Sequence, residues 1–349
     1  MTFDFEAHRM TAIKEYTPKY QLYQDFADVI RDILIKALAQ IPLKVHSIEA
    51  RAKTPENFSS KAAAPSEKNP NQPKYDQPLE QITDLAGVRV ITFLPRTVDE
   101  VCKSIEDQFE VVERVDHGIS LLQQERFGYQ SIHFIIRLSN QRLALPEYRR
   151  YKELKAEIQV RTILQHAWAE IEHDIGYKSS HVIPTTIRRR FAALAGMLEI
   201  ADREFEAIQN EDLSLRTEAI ASIQEGMLDT IEITPYVLKA YLDKRLGSDA
   251  RMSDFSYEWE ARLLHNLGFY NLKQVNECIE GFNDDSISRI ISGGRQGQIT
   301  RFDYLLLASM GEVYIIKHPW NQESWFTESE RRTLKKLRDA GIKGKYAPS

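Results

Sequence analysis

Polar and apolar side chains alternate between residues 154 and 162, and the polar ones could bind a cation and an anion together. Glu157, Gln159 and Arg161 take every second position. The positions between them are apolar: Ala156, Ile158 and Val160. This period of two predicts a strand with the three polar groups on one face. Such a row indicates a half-open site, although an edge strand with a solvated polar face shows the same pattern.

A helix is predicted directly after this strand, over residues 163–178, with Thr162 as its N-cap. His166, Glu170 and His173 lie at positions i, i+4 and i+7 of this helix and therefore share one face. They admit a zinc site, but the spacing is not the two-histidine, one-glutamate motif of the zinc proteases. A helix that uses its apolar residues for packing accounts for the same pattern, and we favour it.

Three basic residues flank a segment that is rich in proline. Arg51 and Lys53 precede it, and Lys61 lies at its start. Residues 62–78 contain several prolines among Ser, Asn, Lys and Glu, which is typical of a loop. Two interpretations are open: a mobile lid whose flanking cations hold phosphates, and a flexible surface linker with solvated charges.

An apolar, β-branched run from Val88 to Leu94 predicts a buried strand. Arg89 lies inside it, and because an isolated buried charge is costly, this guanidinium needs a partner. Asp84 lies just before the strand, where an aspartate is often only a cap or turn residue. Arg89 is therefore the more informative of the two.

Aromatic, hydroxyl and imidazole side chains alternate after a glycine further along the chain. Tyr129, Ser131 and His133 are predicted to share one strand face, and Gly128 permits a close approach of the backbone. A lone histidine in a strand is more often structural than catalytic. A tyrosine ring beside these two groups, however, is able to stack on a nucleotide base.

The composition is that of an ordinary globular protein. The chain has 349 residues, enough for two domains or one elaborated domain, and its net charge of -5 argues against a global basic surface for nucleic acid. Cys102 and Cys278 are far apart and lack metal-type spacing, which favours a reducing cytoplasm. No apolar run is long enough for a membrane span, and residues 1–20 lack a signal-peptide core. We therefore expect a cytoplasmic protein without membrane contact.

The remaining sequence predicts two domains. Residues 1–217 would hold the motifs above together with flanking helices, including amphipathic segments over residues 20–41 and 184–208. Residues 218–349 would form an additional, mainly helical domain.

Two local features of the C-terminal region carry predictions of their own. Glu312–His318 is a strand candidate. Thr327 and Glu330 have the spacing of a capping box before a basic helix, Arg331–Arg338. Such a helix is usually a solvated face, and binding of RNA or of a protein partner is the functional alternative.

Four of these segments, in this order, resemble the synthetase domain of the RelA/SpoT family of nucleotide pyrophosphokinases. The matching pieces are Arg51-x-Lys53 with Lys61, Asp84-Leu-Ala-Gly-Val-Arg89, Gly128-Tyr-Gln-Ser-Ile-His133 and Glu157-Ile-Gln-Val-Arg161-Thr162. The resemblance covers roughly residues 20 to 210. It implies an α/β (α+β) fold, a nucleotidyltransferase-like mixed β-sheet flanked by helices, with the C-terminal domain in addition.

The resemblance also implies a reaction. The family transfers the β,γ-pyrophosphate of ATP to the ribose 3′-hydroxyl of GDP or GTP with Mg²⁺, and the product is a (p)ppGpp alarmone. Arg51 and Arg89 would stack on the two faces of adenine, as planar guanidinium groups can. Lys53 and Lys61 would grip the ATP phosphates and offset the charge that develops during transfer.

By the same resemblance, the carboxylates serve the metal and the proton. Asp84 would hold Mg²⁺, and Glu157 would help to hold it and take the proton from the attacking hydroxyl. Tyr129 would stack on the acceptor base. The phosphates of both nucleotides would be positioned by His133, Gln159 and Arg161.

The acceptor stays open at this stage. Family members often carry a lysine before the Gly-Tyr element, whereas Arg126 is the nearest cation here and the lead-in Leu121–Glu125 is atypical. The alternatives to GDP or GTP are an adenine nucleotide and the 3′ end of tRNA, as in toxin-type members. The His-Asp pair of the family's hydrolase domain does not occur before Tyr20, so we expect no hydrolysis of the product.

A non-catalytic nucleotide sensor that signals through the C-terminal domain is the alternative from a different class. Intact Asp84 and Glu157 weigh against it. The partners implied are ATP and its acceptor, an antitoxin or other regulatory protein, and a second copy of the chain as a homo-oligomer.

Overall fold

The structure is a computed structural model that describes residues 3–116, 131–178, 184–229, 231–248 and 253–348, with only the helical backbone for residues 176–178. The chain divides into two compact units, Met1–Ile208 and Gln209–Ser349, each of which is described by itself. This division falls within one continuous helix, Thr185–Glu225, and so does the predicted boundary after residue 217. The domain limits of 1–217 and 218–349 therefore stay a prediction.

Helices and strands alternate along the first unit. The helices are α1 (Phe5–Tyr16), α2 (Tyr20–Leu38), α3 (Pro55–Ala62), α4 (Pro78–Gln81), α5 (Pro95–Gln108), α6 (Asn140–Leu143), α7 (Ile163–Lys178) and α8 (Thr185–Glu225), with 3-10 turns at Thr17–Lys19 and Pro146–Tyr151. The strands are β1 (Val45–Ala52), β2 (Ala86–Thr92), β3 (Phe109–Asp116), β4 (Ile132–Leu138) and β5 (Ala156–Thr162). The alternation and apolar runs in the sequence therefore predicted β2, β4 and β5 to within a few residues.

The five strands form one mixed sheet in the order β1-β2-β5-β4-β3. β2 and β5 are parallel, and the other neighbouring pairs are antiparallel. In this register Gly87 pairs with Arg51 on one side and with Glu157 on the other. Residues that are paired across strands point to the same face. The mixed sheet flanked by helices confirms the predicted fold class.

The core of the first unit lies on one face of this sheet. α2 and α5 contribute fully buried side chains: Phe26, Ile30, Leu34, Val101 and Ile105. The central strands contribute Val88, Val90, Ile158 and Val160. Full burial of one such side chain stabilises the fold by ~1.5–3 kcal/mol. Because side chains alternate along a strand, the polar residues of β2 and β5 are held on the opposite, half-buried face.

The second unit is mainly helical, as predicted. Besides the end of α8, its helices are α9 (Pro235–Leu246), α10 (Asp254–Leu267), α11 (Leu272–Ile279), α12 (Asp284–Ser292), α13 (Gln298–Met310), α14 (Glu312–Lys317) and α15 (Ser324–Asp339). α13 is the most deeply buried of them, and most of its residues belong to the core of this unit.

The prediction of a strand over Glu312–His318 was wrong. These residues form α14, which begins after Gly311 at a φ of +61°. The β-branched residues of the segment favour a strand locally. However, Tyr314 and Ile315 are buried in the core of the second unit, and this packing overrides the local preference.

The predicted capping box was also wrong. α15 begins at Ser324, so Thr327 lies inside the helix instead of before it. Its hydroxyl donates to the carbonyl oxygen of Glu323 at 3.3 Å, one turn earlier. A threonine that bonds back to the preceding turn is common within helices and gives no start signal.

Two sequence-wide expectations concern cysteines and membranes. Cys102 and Cys278 are both free and buried, and burial raises the pKa of Cys102 to about 12 and that of Cys278 to about 11. Both thiols are therefore unreactive. None of the helices in the described ranges combines the length and the low polarity that crossing a membrane requires.

Candidate active site

A cavity of about 250 Å³ opens over the half-buried face of β1, β2 and β5. Charged and amide side chains dominate its wall: Glu49, Arg51, Lys53, Asn57, Asp84, Arg89, Glu157 and Gln159. Most of the site residues predicted from the sequence therefore meet at one place in the first unit.

Gly87 forms the floor of this cavity. It lies between Arg51 and Glu157, which are its partners on the two neighbouring strands. A Cβ added at this position would meet nothing closer than the Arg51 carbonyl oxygen at 3.7 Å. The missing side chain therefore leaves open space in the middle of a row of charged groups.

Two lysines share one oxygen of Asp84. Lys53 Nζ lies 2.7 Å and Lys61 Nζ 3.0 Å from Asp84 Oδ2. Burial raises the pKa of this carboxyl, but the hydrogen bonds and charges of the two lysines outweigh it and hold the pKa below its ordinary value. Asp84 Oδ1 is buried and has no hydrogen-bond partner among the described residues. The cluster thus joins two cations to a carboxylate that keeps one oxygen available.

Main-chain contacts place the two lysines. The main-chain amide of Lys53 donates to the Leu85 carbonyl oxygen at 2.9 Å. The carbonyl oxygen of Lys53 accepts a hydrogen bond from the hydroxyl of the fully buried Tyr16 at 2.6 Å. Thr54 then caps α3 by accepting from the Asn57 amide, and this helix carries Lys61. The N-terminal helix α1, which has no predicted chemistry, therefore fixes the turn that presents Lys53.

Glu157 is hydrogen-bonded on both carboxylate oxygens. His133 Nδ1 lies 2.7 Å from Oε1, and Gln159 Nε2 donates to Oε2 at 3.2 Å. Burial raises the pKa of Glu157, but the hydrogen bonds from His133 and Gln159 act in the opposite direction, and the pKa lies below its ordinary value. The carboxylate is therefore ionised at neutral pH, as a general base must be.

Arg89 has the partner that its place in an apolar strand requires. Its Nη1 lies 3.1 Å from Glu170 Oε1 on α7 and 3.8 Å from Glu49 Oε2 on β1. Sequence reasoning missed both contacts. Glu49 precedes Arg51 by two residues, so strand alternation could have placed it on the same face. No local signal in the sequence connects Glu170 with Arg89.

Arg161 lies deeper than a phosphate contact requires. It is only 7% exposed and donates through Nη2 to Gln159 Oε1. Burial, and then the positive charge of Arg89, lowers its pKa to about 10. In this position Arg161 supports Gln159, which in turn holds Glu157, and its predicted role toward phosphates stays a prediction.

The cap predicted at Thr162 is present. Its hydroxyl accepts from the Gln165 amide at 3.2 Å and donates to Asp202 Oδ2 at 2.7 Å. Further along α7, His166 Nδ1 lies 3.9 Å from Glu170 Oε1. Within the part of the chain that the structure describes, no group of three or more His, Cys, Asp or Glu side chains is arranged to hold a metal. The zinc alternative on this helix therefore gains no support.

The predicted acceptor side is described only in part. Tyr129 lies outside the described residues, as do Gly128 and Arg126. His133 and Gln159, by contrast, pair directly across β4 and β5 and face the same side as Glu157. The stacking role of Tyr129 stays a prediction.

The two carboxylates fit a magnesium ion. Mg²⁺ prefers oxygen ligands and is usually held by one or two carboxylates together with substrate phosphates. Asp84 offers its unpartnered Oδ1, and its negative charge acts to raise the pKa of Glu157. A divalent cation would relieve this repulsion between like charges. Asp84 and Glu157 are therefore the residues that would hold the ion.

Lysines and ionised carboxylates on the open face of a mixed sheet form the kind of site that processes phosphorylated ligands. A model of the region found in RelA and SpoT proteins matches residues 50–182, which contain all four motifs. GTP pyrophosphokinase YwaC of Bacillus subtilis (strain 168) is 33% identical over 141 residues, which are 38% of this chain and 60% of that protein. GTP pyrophosphokinase YjbM of the same organism is 27% identical over 135 residues, with the same two shares.

Residues 50–182 therefore form a region of the RelA/SpoT type, and the chain is distantly homologous to these two GTP pyrophosphokinases. It spans 60% of the length of these two relatives. Among solved structures, the small alarmone synthetase 2 from Bacillus subtilis is 24% identical with a TM-score of 0.46, over 56% of this chain and 99% of that one. Small alarmone synthetase 1 from Bacillus subtilis, bound to its product pppGpp, is 22% identical with a TM-score of 0.44, over 57% and 96%. At these scores the likeness adds nothing to the fold described above.

Proposed function

We propose that this protein transfers the β,γ-pyrophosphate of ATP to the ribose 3′-hydroxyl of a guanine nucleotide, GDP or GTP, and so makes a (p)ppGpp alarmone. The observation that carries the proposal is the pairing of Lys53 and Lys61 with Asp84 beside an ionised Glu157, within the RelA/SpoT region. The names of the two Bacillus relatives, both GTP pyrophosphokinases, support a guanine acceptor.

The donor binds through the cationic side of the cavity. Arg51 and Arg89 hold the adenine ring between their guanidinium planes. Lys53 and Lys61 exchange Asp84 for the oxygens of the triphosphate, because the triphosphate carries more negative charge than a single carboxylate. Asp84 and Glu157 would hold Mg²⁺, which would supply additional neutralisation of the phosphate charge.

Glu157 acts as the general base of the transfer. Its carboxylate takes the proton of the 3′-hydroxyl, the freed oxygen bonds to the β-phosphorus of ATP, and the bond from this phosphorus to the α,β-bridging oxygen breaks. AMP leaves with the electron pair of that bond. The two lysines stabilise the charge on the transferred group. Base catalysis of this kind contributes about 10²- to 10⁴-fold in rate.

The acceptor side rests on residues around β4 and β5. Tyr129 stacks on the acceptor base in this proposal, and His133, Gln159 and Arg161 lie toward its phosphates. An adenine nucleotide or the 3′ end of tRNA would undergo the same transfer with a different occupant in this half of the site. Acceptor identity is therefore the part of the proposal that needs a direct measurement.

The experiment is transfer of label from γ-labelled ATP in the presence of Mg²⁺. GDP, GTP, AMP, ADP and deacylated tRNA are supplied in separate reactions. Glu157→Gln serves as the inactive control, and Glu153→Gln, an exposed glutamate just before β5, as the matched neutral change. Label on GDP or GTP that is lost only with Glu157→Gln supports the proposal.

Other outcomes would redirect or reject it. Label found only on AMP or ADP would make the product an adenine alarmone, and label found only on tRNA would make the protein an RNA-modifying enzyme. Binding of ATP without transfer to any of the acceptors would favour the non-catalytic sensor. Equal activity of Glu157→Gln and the wild type would reject the assigned base.

A further inference from the structure

The carboxylate assigned as the base lies at the end of a chain of hydrogen bonds that starts at a serine. Ser131 Oγ lies 2.9 Å from His133 Nε2, and His133 Nδ1 lies 2.7 Å from Glu157 Oε1. The histidine side chain is 21% exposed and that of Glu157 16%. The imidazole ring and the carboxylate are therefore largely shielded from water, which strengthens the hydrogen bond between them.

These contacts define which nitrogen carries the proton in a neutral His133. An ionised carboxylate only accepts hydrogen bonds, so Nδ1 must be the donor to Glu157. Nε2 is then the acceptor, and the Ser131 hydroxyl donates to it. Each group in the row has one role that fits its neighbour, and reversing the tautomer would set a lone pair against the carboxylate.

The second oxygen of Glu157 is held less tightly. Gln159 reaches Oε2 at 3.2 Å, compared with 2.7 Å for the histidine on Oε1. The imidazole therefore fixes the orientation of the carboxylate, and Oε2 is the oxygen that can turn toward a substrate hydroxyl. A displacement of a reacting group by about 1 Å is enough to lower the rate on the order of 10²-fold.

We propose that His133 is a positioning residue for the base Glu157, with its tautomer fixed by Ser131, in addition to any contact it makes with the acceptor. This inference rests on the proposed function, because it concerns the same transfer. It differs from a phosphate-binding role in what it predicts: loss of the imidazole changes the rate of the chemical step, while substrate affinity is retained.

Three substitutions of His133 separate these roles. Asparagine carries an amide nitrogen near the position of Nδ1, glutamine carries one near Nε2, and alanine carries neither. We expect His133→Ala to lower kcat about 10²-fold, with KM for GDP and ATP changed less than about threefold. His133→Asn should recover at least about tenfold of the lost kcat, and His133→Gln should recover little. Ser131→Ala should lower kcat to a smaller extent than His133→Ala.

Binding and folding are measured beside the kinetics. Calorimetric titration with a non-hydrolysable ATP analogue and a thermal melt of each variant show whether the site is intact. An intact site with reduced kcat, rescued by asparagine, supports the positioning role. A raised KM for GDP with unchanged kcat, or rescue by glutamine but not by asparagine, overturns it.

A second measurement does not depend on activity. The ¹⁵N chemical shifts of the His133 ring distinguish protonation at Nδ1 from protonation at Nε2, and we expect the Nδ1–H tautomer in the full-length wild type. The Nε2–H tautomer would overturn the proposal even if the variants lose activity. A wild type that transfers no pyrophosphate at all would reject the proposed function itself, whereas an active wild type with the wrong variant pattern would reject only the role of His133.

Discussion

Asp84 and Glu157 carry the same chemical group, but their neighbours give them different properties. Asp84 is paired with two lysines, and a phosphate can compete for these cations. Glu157 is held by an imidazole and an amide, which fix the direction of its carboxylate. The first environment suits a group that exchanges partners when a nucleotide arrives. The second suits a base that must stay ionised and keep its place.

Asp84→Asn tests the exchange. Without the carboxylate, Lys53 and Lys61 lose their shared anion and are free to bind phosphate, so we expect an ATP analogue to bind at least as tightly in the absence of Mg²⁺. Transfer with Mg²⁺ should fall by about 10²-fold or more, because a ligand of the ion is lost. Calorimetry with and without Mg²⁺, together with the label assay, measures both effects. Asp99→Asn, at an exposed position on α5, is the matched control. Weaker binding of the ATP analogue to Asp84→Asn both with and without Mg²⁺ would contradict this account.

At the scale of elements, the strand pattern of the sequence predicted which side chains share a face. The alternation around Glu157 predicted that Glu157, Gln159 and Arg161 share a face. Only the resemblance to the RelA/SpoT family placed Arg89 at the same site. The partner of Arg89 on α7 could not be predicted, because the contact joins residues far apart in the chain and depends on how the helix returns over the sheet. The strand wrongly predicted at residues 312–318 also reflects tertiary contacts that the local sequence does not show. Burial in a helical core overrode the local β preference of this segment.

Gly87→Val should close the cavity while the strand is retained. β-Branched residues favour strands, and an added Cβ meets no atom closer than 3.7 Å, so the melting temperature should be unchanged or slightly higher. The larger side chain points between Arg51 and Glu157 and should weaken binding of an ATP analogue at least about tenfold, or ~1.4 kcal/mol. Gly87→Ala should have an intermediate effect. Gly196→Ala on α8, where an added Cβ meets nothing within 4 Å, is the control. Unchanged affinity in the valine variant would mean that the nucleotide does not lie over Gly87.

The contact of α10 with α13 in the second unit leads to a prediction about pH. Glu260 and Asp303 share a hydrogen bond in a buried position, and burial, followed by their mutual repulsion, raises the pKa of Glu260 well above its ordinary value. Burial also raises the pKa of Asp303, although the Tyr314 hydroxyl donates to it at 3.3 Å. Glu330 faces the same group and adds negative charge. Two carboxyl groups can share a hydrogen bond only when one is protonated, so the folded state retains a proton that the unfolded chain releases.

Raised pKa values in the folded state determine the sign of the effect. The stabilisation is complete below the ordinary carboxyl range, where both states are protonated, and it is lost as pH rises through the higher folded-state pKa values. We expect the second unit to unfold at lower temperature at pH 8 than at pH 5. Glu260→Gln should reduce this dependence and raise stability at pH 8 by about 1–2 kcal/mol. Thermal melts across this range, with the exposed Glu277→Gln as control, measure it, and an equally steep pH dependence in Glu260→Gln would count against the shared proton.

At the scale of the whole molecule, composition and motif order predicted a catalytic domain followed by a helical region, but could not set the limit between them. A single helix, α8, continues across that limit, and helical periodicity carries no signal for a change of core within one helix. The buried residues make the distinction that the sequence pattern lacks. Ile223 near the end of α8 belongs to the core of the second unit. Among the described residues, the main core of the first unit runs from Ala12 to Val160.

This assignment of cores predicts how the chain can be divided. A chain that ends at Ile208 retains every residue of the first core and every predicted site residue, so it should fold and melt in a single transition. The full chain should show two transitions in calorimetry, because each unit has its own core. A chain that ends at Glu225 should be less soluble, since Ile223 would then be exposed without the residues that bury it. If the shorter chain fails to fold while the longer one is stable, the limit lies further along α8, closer to residue 217.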